Sequence, residues 1–169
     1  QILRGDLGNS IFSAHPVTQL IGQRLEPTLS LSLMTLVIAI VMAVPLGVIA
    51  AWRVGSWIDR SVMGFAVFGL SVPGFVIGYV LIWVFAIELD WLPVQGYTSL
   101  AKGFWPWLSN IILPSVTLAL AYMALIARIT RTSMLEVLSE DYIRTARAKG
   151  VATRSVLLKH ALKNAGVPI

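Results

Sequence analysis

Residues 28–51 have the sequence TLSLSLMTLVIAIVMAVPLGVIAA, 24 consecutive residues without a charged side chain. A helix of that length is about 36 Å long, at ~1.5 Å per residue, and exceeds the ~30 Å hydrocarbon core of a bilayer. A buried helix of a soluble protein seldom continues so far without a polar face. The stretch therefore predicts a membrane-spanning helix that starts near Pro27, and Pro45 beside Gly47 predicts a kink in it.

Two further apolar stretches predict two more spans. Residues 61–87 are again uncharged, and Pro73 with Gly74 predicts a bend or a lost backbone hydrogen bond near their middle. Residues 111–127 form a third stretch, at the short limit for a span. Hydrophobic residues make up 57% of the chain and charged residues only 12%, outside the usual range of soluble domains. The expected fold class is therefore all-α, a polytopic membrane protein whose spans form a partial helix bundle.

The basic residues are distributed unevenly along the chain. Ten of the 13 Lys and Arg lie in the 52–60 loop or after residue 127, and three lie in residues 1–27 or in the 88–110 loop. Because positively charged loops stay in the cytoplasm, residues 1–27 and 88–110 are predicted to be extracytoplasmic and residues 139–164 cytoplasmic. Within the first segment, residues 16–25 predict either a short helix on the bilayer surface or a plain connecting loop.

Residues 139–164, SEDYIRTARAKGVATRSVLLKHALKN, differ from the preceding spans in being polar and basic. They predict two short helices with a break at Gly150, since glycine readily adopts the left-handed conformation that ends a helix. Ser139 and Thr153 are the expected N-cap residues of the two helices. On charge alone, the stretch favours a solvated cytoplasmic segment that only fixes the topology.

The individual residues favour something more specific. YIRTARAKGV followed by LLKHALKN closely resembles the cytoplasmic loop of binding-protein-dependent ABC importer permeases, within the dipeptide/oligopeptide/nickel branch. The match to the branch variant R-T-A-R-A-K-G is close, whereas the general family loop is matched only in part, at Ala146 and Gly150, because Arg144 stands at its Glu position. DWLPVQG at residues 90–96 is also typical of this branch.

The resemblance implies a type I ABC importer transmembrane domain over residues 28–169, in a bacterial inner membrane, with further spans following in a longer chain. It implies a permease subunit that moves a peptide or related small solute, beside a second permease subunit, two cytoplasmic ATPase subunits and an extracytoplasmic solute-binding protein. Dipeptide, oligopeptide, glutathione-like peptide and nickel all remain open as the solute. The residues expected to dock on the ATPase are Arg144, Thr145, Ala146, Arg147, Lys149 and Gly150. The bases among them can also contact membrane lipid phosphates.

The sequence argues against several other classes of protein. It contains no G-x-x-x-x-G-K-[ST] loop, so ATP is expected to bind partner subunits, and no cofactor is expected in this chain. There is no cysteine, and His15 and His160 are predicted on opposite sides of the membrane, so no metal site is expected from them. The basic residues lack interleaved aromatic residues, which disfavours nucleic acid binding. The predicted spans hold no charged group, which disfavours a membrane-embedded enzyme. A small membrane scaffold, with a basic tail that binds lipid or a soluble partner, remains the alternative.

Overall fold

The structure is a computed structural model that describes residues 7–11 and 13–166. Within these ranges the regular secondary structure is helical. The ends of the predicted segments 1–27 and 28–169 therefore lie partly outside the described residues. The helices are α1 Val17–Trp52, α2 Trp57–Ser71, α3 Gly74–Ile82, α4 Phe104–Leu138, α5 Asp141–Ala148, α6 Thr153–Ser155 and α7 Leu162–Ala165. Turns of π-helix follow α3 at Trp83–Glu88 and α6 at Val156–Ala161, and a 3₁₀ turn lies at Leu100–Lys102. The predicted all-α class is confirmed.

Helix α1 is longer than the sequence suggests. It runs without interruption from Val17 through Pro27 and Pro45 to Trp52, so the expected helix start at Pro27 and the separate short helix at 16–25 are wrong. Side chains on either side of Pro27 contact the loop that precedes α4: Ser99 donates a 2.6 Å hydrogen bond to Glu26, and the hydroxyls of Ser30 and Tyr97 lie 3.1 Å apart. These contacts help to keep the helix ordered past the hydrogen bond that proline cannot make. The kink expected at Pro45 stays a prediction.

The second apolar stretch is broken where the proline is. The chain bends by 99° between α2 and the next helical stretch, which consists of α3 and the π turn that follows it. Val72 has the extended conformation, φ −85° and ψ 126°, that proline imposes on the residue before it, and Pro73 caps α3. The bend predicted at Pro73 and Gly74 is therefore present. Two helices, α1 and α4, are each long and apolar enough to cross a membrane, and the bent pair counts as a third if it forms one span.

Helix α4 is the central element, and it extends beyond residues 111–127 at both ends. It lies against the three preceding helices at glycines. A β-carbon at Gly47 of α1 would come within 2.6 Å of the Thr130 β-carbon, and one at Gly69 of α2 within 3.3 Å of the Leu120 carbonyl oxygen. Such small residues let helix backbones approach closely in a membrane.

Two apolar clusters hold the helices together. The first joins the middle of α1 to α4 almost entirely through small side chains, namely Ala39, Ala43, Ala119, Met123 and Ala127. The second joins the ends of these two helices to α5 and the elements after it. Its members are Val48, Ala51, Met134, Ile143, Val156, Leu157, Ala161 and Ala165. The polar, basic C-terminal stretch is therefore fixed to both long helices by a core of its own.

Candidate functional site

The candidate site is the helical segment at residues 141–165, which we call the coupling segment. Its first helix, α5, is anchored by a single apolar side chain, Ile143, which is fully buried in the cluster that contains Met134. Asp141 lies in the first turn, where the helix dipole favours an acid. The expected N-cap Ser139 is wrong: Glu140 occupies that position, and Ser139 instead ends α4 and donates to the Glu136 carbonyl.

The C-terminus of α5 is closed by a Schellman motif. Val151 N–H donates to the Ala146 carbonyl at 3.2 Å, and Gly150 N–H donates to the Arg147 carbonyl at 3.0 Å. This motif needs a left-handed residue between the two helices, and Gly150 has a φ of 78°. The helix end predicted at Gly150 is therefore confirmed. A β-carbon there would meet nothing within 4 Å, so the need for glycine comes from the backbone conformation and not from crowding.

The outer face of α5 carries the residues expected to dock on a partner. Arg144, Thr145, Arg147 and Lys149 are exposed, while Ala146 is half-buried. Arg144 lies 3.2 Å from Asp141 in an ion pair that solvent reaches from all sides. The Thr145 hydroxyl donates to the Asp141 carbonyl, so it is satisfied within the helix. The face therefore offers positive charge to an acidic surface or a phosphate. Contact with an ATPase stays a prediction.

The second half of the coupling segment packs against the first. Val156, Leu157 and Ala161 bury their side chains in the shared apolar cluster. Asn164 donates a 3.0 Å hydrogen bond to the Tyr142 hydroxyl of α5. Thr153 is not the cap that its sequence position suggests: it is the first residue of α6, and Ala152 precedes it as the N-cap.

Pro45 borders this segment, whereas Pro73 and Gly74 lie at the junction of α2 and α3. A groove of about 600 Å³ lies between α1 and the second half of the coupling segment, beside the apolar cluster in which the two pack together. Pro45 and Val48 line one side of it, and Thr153 and Leu157 line the other. The structure thus brings one of the three predicted kink positions beside the second half of the coupling segment.

An ion pair beside the coupling segment escapes the sequence analysis. Arg131 of α4 makes two hydrogen bonds to Asp59 of α2, at 2.6 and 2.8 Å, and Gly55 N–H donates a third at 2.9 Å. Asp59 is only 4% exposed. The pair ties the turn after α1 to α4, one helical turn before Met134 of the apolar cluster. Its signal in the sequence is weak: one acid and one base on the same predicted side of the membrane, 72 residues apart.

Comparison with known proteins identifies the family. A family model described as "Binding-protein-dependent transport system inner membrane component" matches residues 43–169. The chain belongs to this family of inner membrane components. Its place in the bacterial inner membrane follows, and the resemblance carried by residues 142–151 is confirmed at the level of the family.

Similar members of the inner membrane component family are named as permeases. The "Probable peptide ABC transporter permease protein y4tP" of Sinorhizobium fredii is 58% identical over 168 residues, which are 99% of this chain and 54% of the relative. The glutathione transport system permease protein GsiC is 47% identical over 169 residues in Pectobacterium atrosepticum and 48% identical over 168 in Escherichia coli, in each case over 99% of this chain and 52% of the relative. The chain therefore spans about half the length of the relatives that it matches. Their names do not favour the scaffold alternative.

Proposed function

We propose that the chain forms part of a permease subunit of an ATP-driven importer and carries the loop through which the ATPase moves the membrane helices. One observation carries this proposal: α5 exposes its basic residues outward while Ile143 fixes it to a core shared with both long helices. Such an arrangement suits the transmission of force, because movement of α5 cannot be absorbed by a flexible connection.

In this function, two cytoplasmic ATPase subunits, a second permease subunit and an extracytoplasmic solute-binding protein complete the importer. Arg144, Arg147 and Lys149 would meet acidic groups of an ATPase subunit, and Ala146 would allow close approach. Closure of the ATPases on ATP would displace α5, and the apolar cluster around Met134 would pass the displacement to α1 and α4 together. ATP would bind only to the partner subunits.

The proposed solute is a peptide or a related small molecule. Two kinds of relative support this: one is named a peptide transporter, and the others are named glutathione transporters. Nickel is the weaker candidate, because the three relatives described above are named for peptide or glutathione transport. Binding-protein specificity would select the individual peptide.

Gly150 offers the sharpest test of the coupling role. Gly150→Val in the full-length permease should lower ATP-driven uptake while the protein stays in the membrane, since a β-branched residue at positive φ strains the helix end by at least about 1–2 kcal/mol and re-aims the two short helices. The measurements are membrane abundance, co-purification of the ATPase and ATP-driven uptake of peptide.

Gly8→Val is the matched control for this experiment. Gly8 has a φ of 71° and, like Gly150, open space where a β-carbon would lie, but it precedes α1 at the other end of the helix bundle. It should therefore impose a similar local strain without loss of coupling. Wild-type abundance, association and uptake in Gly150→Val would refute the coupling role. Loss of abundance alone would make Gly150 a folding residue and would favour the scaffold alternative.

A further inference from the structure

Helix α2 contributes no residue to the two apolar clusters that join α1, α4 and the coupling segment. Its own buried residues recur three or four positions apart and so form one stripe along the helix, namely Asp59, Val62, Ala66 and Gly69. At Gly69 the stripe meets α4 so closely that a β-carbon would lie 3.3 Å from the Leu120 carbonyl oxygen. Helices that pack through small apolar residues can slide past each other by small amounts. This contact by itself therefore does not make α2 follow a movement of α4.

The contact at the start of the stripe is different in kind. The carboxylate of Asp59 accepts from Nε and Nη2 of Arg131, at 2.6 and 2.8 Å, in a two-pronged geometry that fixes both distance and angle. Gly55 N–H donates to the same carboxylate at 2.9 Å, and the Asp59 N–H in turn donates to Ser56, the N-cap of α2. The ion pair therefore holds both the start of α2 and the turn that precedes it.

Arg131 lies directly before the part of α4 that packs on the coupling segment. Met134, one helical turn later, is fully buried in the same apolar cluster as Ile143 of α5. Helix α4 is continuous from Phe104 to Leu138, so a displacement of α5 that moves Met134 also moves Arg131. The ion pair gives such a displacement a direct path into α2.

We propose that Arg131 is a positioning residue of the importer, whose ion pair with Asp59 makes α2 move with α4 when the ATPase displaces the coupling segment. The inference rests on the proposed function and adds α2, with α3 beyond the bend at Pro73, to the helices that are driven. The alternative is an ion pair that only stabilises the fold. Apolar side chains of similar size hold a buried contact about as well as an ion pair does, so stability alone gives little reason for charges here. What the two-pronged pair adds is a contact that cannot slide.

The double substitution Asp59→Asn with Arg131→Gln separates the two roles. It removes both charges, so no unpaired charge stays buried, and the glutamine amide ends where the arginine Nε lies along the side chain, so one hydrogen bond can replace two. The full-length permease is reconstituted in vesicles with its ATPase subunits, second permease subunit and binding protein. Uptake of dialanine, trialanine and glutathione is measured together with ATP hydrolysis.

The double variant should unfold within about 4 °C of the wild type, because both partners of the buried pair are replaced at once. Its uptake per ATP hydrolysed should nevertheless fall about fivefold or more, the lower range for coupling between distant sites. Arg131→Lys keeps the charge, but its ammonium cannot make two parallel bonds, so it should lower the same ratio. Arg128→Gln is the control: it removes an exposed arginine one turn earlier on α4 and should leave the ratio unchanged.

Uptake per ATP distinguishes the two roles, because a purely structural pair would change the amount of assembled importer and not the yield of each cycle. A wild-type ratio in either variant that assembles would refute the positioning role, as would an equal loss in Arg128→Gln. If neither variant assembles, the pair serves folding and the positioning role is likewise overturned. In each of these cases the wild-type importer still transports peptide, so the proposed function stands. If the wild type takes up none of the three peptides, the proposed function itself fails, and this inference with it.

Discussion

The carboxylate of Asp59 is almost completely buried, yet it is fully paired. Both of its oxygens accept from Arg131, and one also accepts from Gly55 N–H. Charge-assisted, two-pronged contacts of this kind are the strongest hydrogen bonds that side chains make. A buried pair adds little by its mere presence, but loss of one partner leaves an isolated charge in a poorly solvated place. The pair is therefore a point at which a single substitution should have a large effect.

Arg131→Ala should lower the free energy of unfolding by about 3 kcal/mol, because Asp59 would stay buried without its partner. Thermal or denaturant unfolding of the full-length permease in detergent measures this loss. Arg144→Ala is the matched control, since it removes an arginine whose ion pair with Asp141 is exposed, and it should cause little change. Equal, small effects of both substitutions would show that the Asp59 pair does not stabilise the fold.

At the scale of the helices, the packing of α1 on α4 depends on the absence of one side chain. A β-carbon at Gly47 would lie 2.7 Å from the Ala127 carbonyl oxygen as well as 2.6 Å from the Thr130 β-carbon. Neither neighbour is the free end of a flexible side chain, so the helices themselves must separate. Gly47→Ala should therefore destabilise the permease by about 1–3 kcal/mol, the usual cost of overpacking. Unfolding temperature in detergent is the measurement.

Gly22→Ala is the control for this effect within the same helix. Gly22 has no atom within 4 Å of the place where its β-carbon would be, so alanine there should be neutral or should stabilise α1 by up to about 1 kcal/mol. A loss of stability in Gly22→Ala as large as in Gly47→Ala would mean that glycine is needed for some reason other than the close helix contact.

The helices show which features a sequence can reveal. Uncharged runs predict that spans exist, because the bilayer imposes a length, and Pro73 predicts the bend, because its effect on the backbone is local. Helix ends are harder. Helix α1 passes through Pro27 beside contacts of Glu26 with a loop more than 70 residues away. Such distant partners leave no trace in the local pattern.

In the candidate site, too, the sequence predicts some features and misses others. Gly150 is predictable because the left-handed helix end needs a particular residue type, and its conformation is a property of a few neighbouring residues. Ser139 and Thr153 fail as caps because Glu140 and Ala152 occupy the two N-cap positions, so the path of the chain, and not the preference for a hydroxyl, fixes where each helix begins. The pairing of Asp59 with Arg131 depends on how α2 and α4 pack, so only the three-dimensional structure reveals it.

At the scale of the whole molecule, hydrogen bonds assign each loop to one of the two ends of the helix bundle. Glu26 near the start of α1 holds Ser99, so the 88–103 loop lies at the N-terminal end of α1. At the other end, Asp59 pairs with Arg131 beside the coupling segment. Arg24 and Lys102 belong to the first end, whereas most of the other bases belong to the second. The grouping seen in the structure thus agrees with the charge distribution, and the positive-inside rule then assigns the second end to the cytoplasm.

Single cysteines should report this arrangement directly, because the chain contains no cysteine of its own. Val94, at 55% exposure, represents the first end, and the exposed Ala152 represents the second. In sealed right-side-out vesicles, a membrane-impermeant maleimide should label Val94→Cys in the full-length permease and leave Ala152→Cys unlabelled until the membrane is opened. Inverted vesicles should reverse the pattern. If both positions react from one side, α1, the bent pair and α4 cannot make three crossings, and the assignment of the coupling segment to the ATPase side would lose its basis.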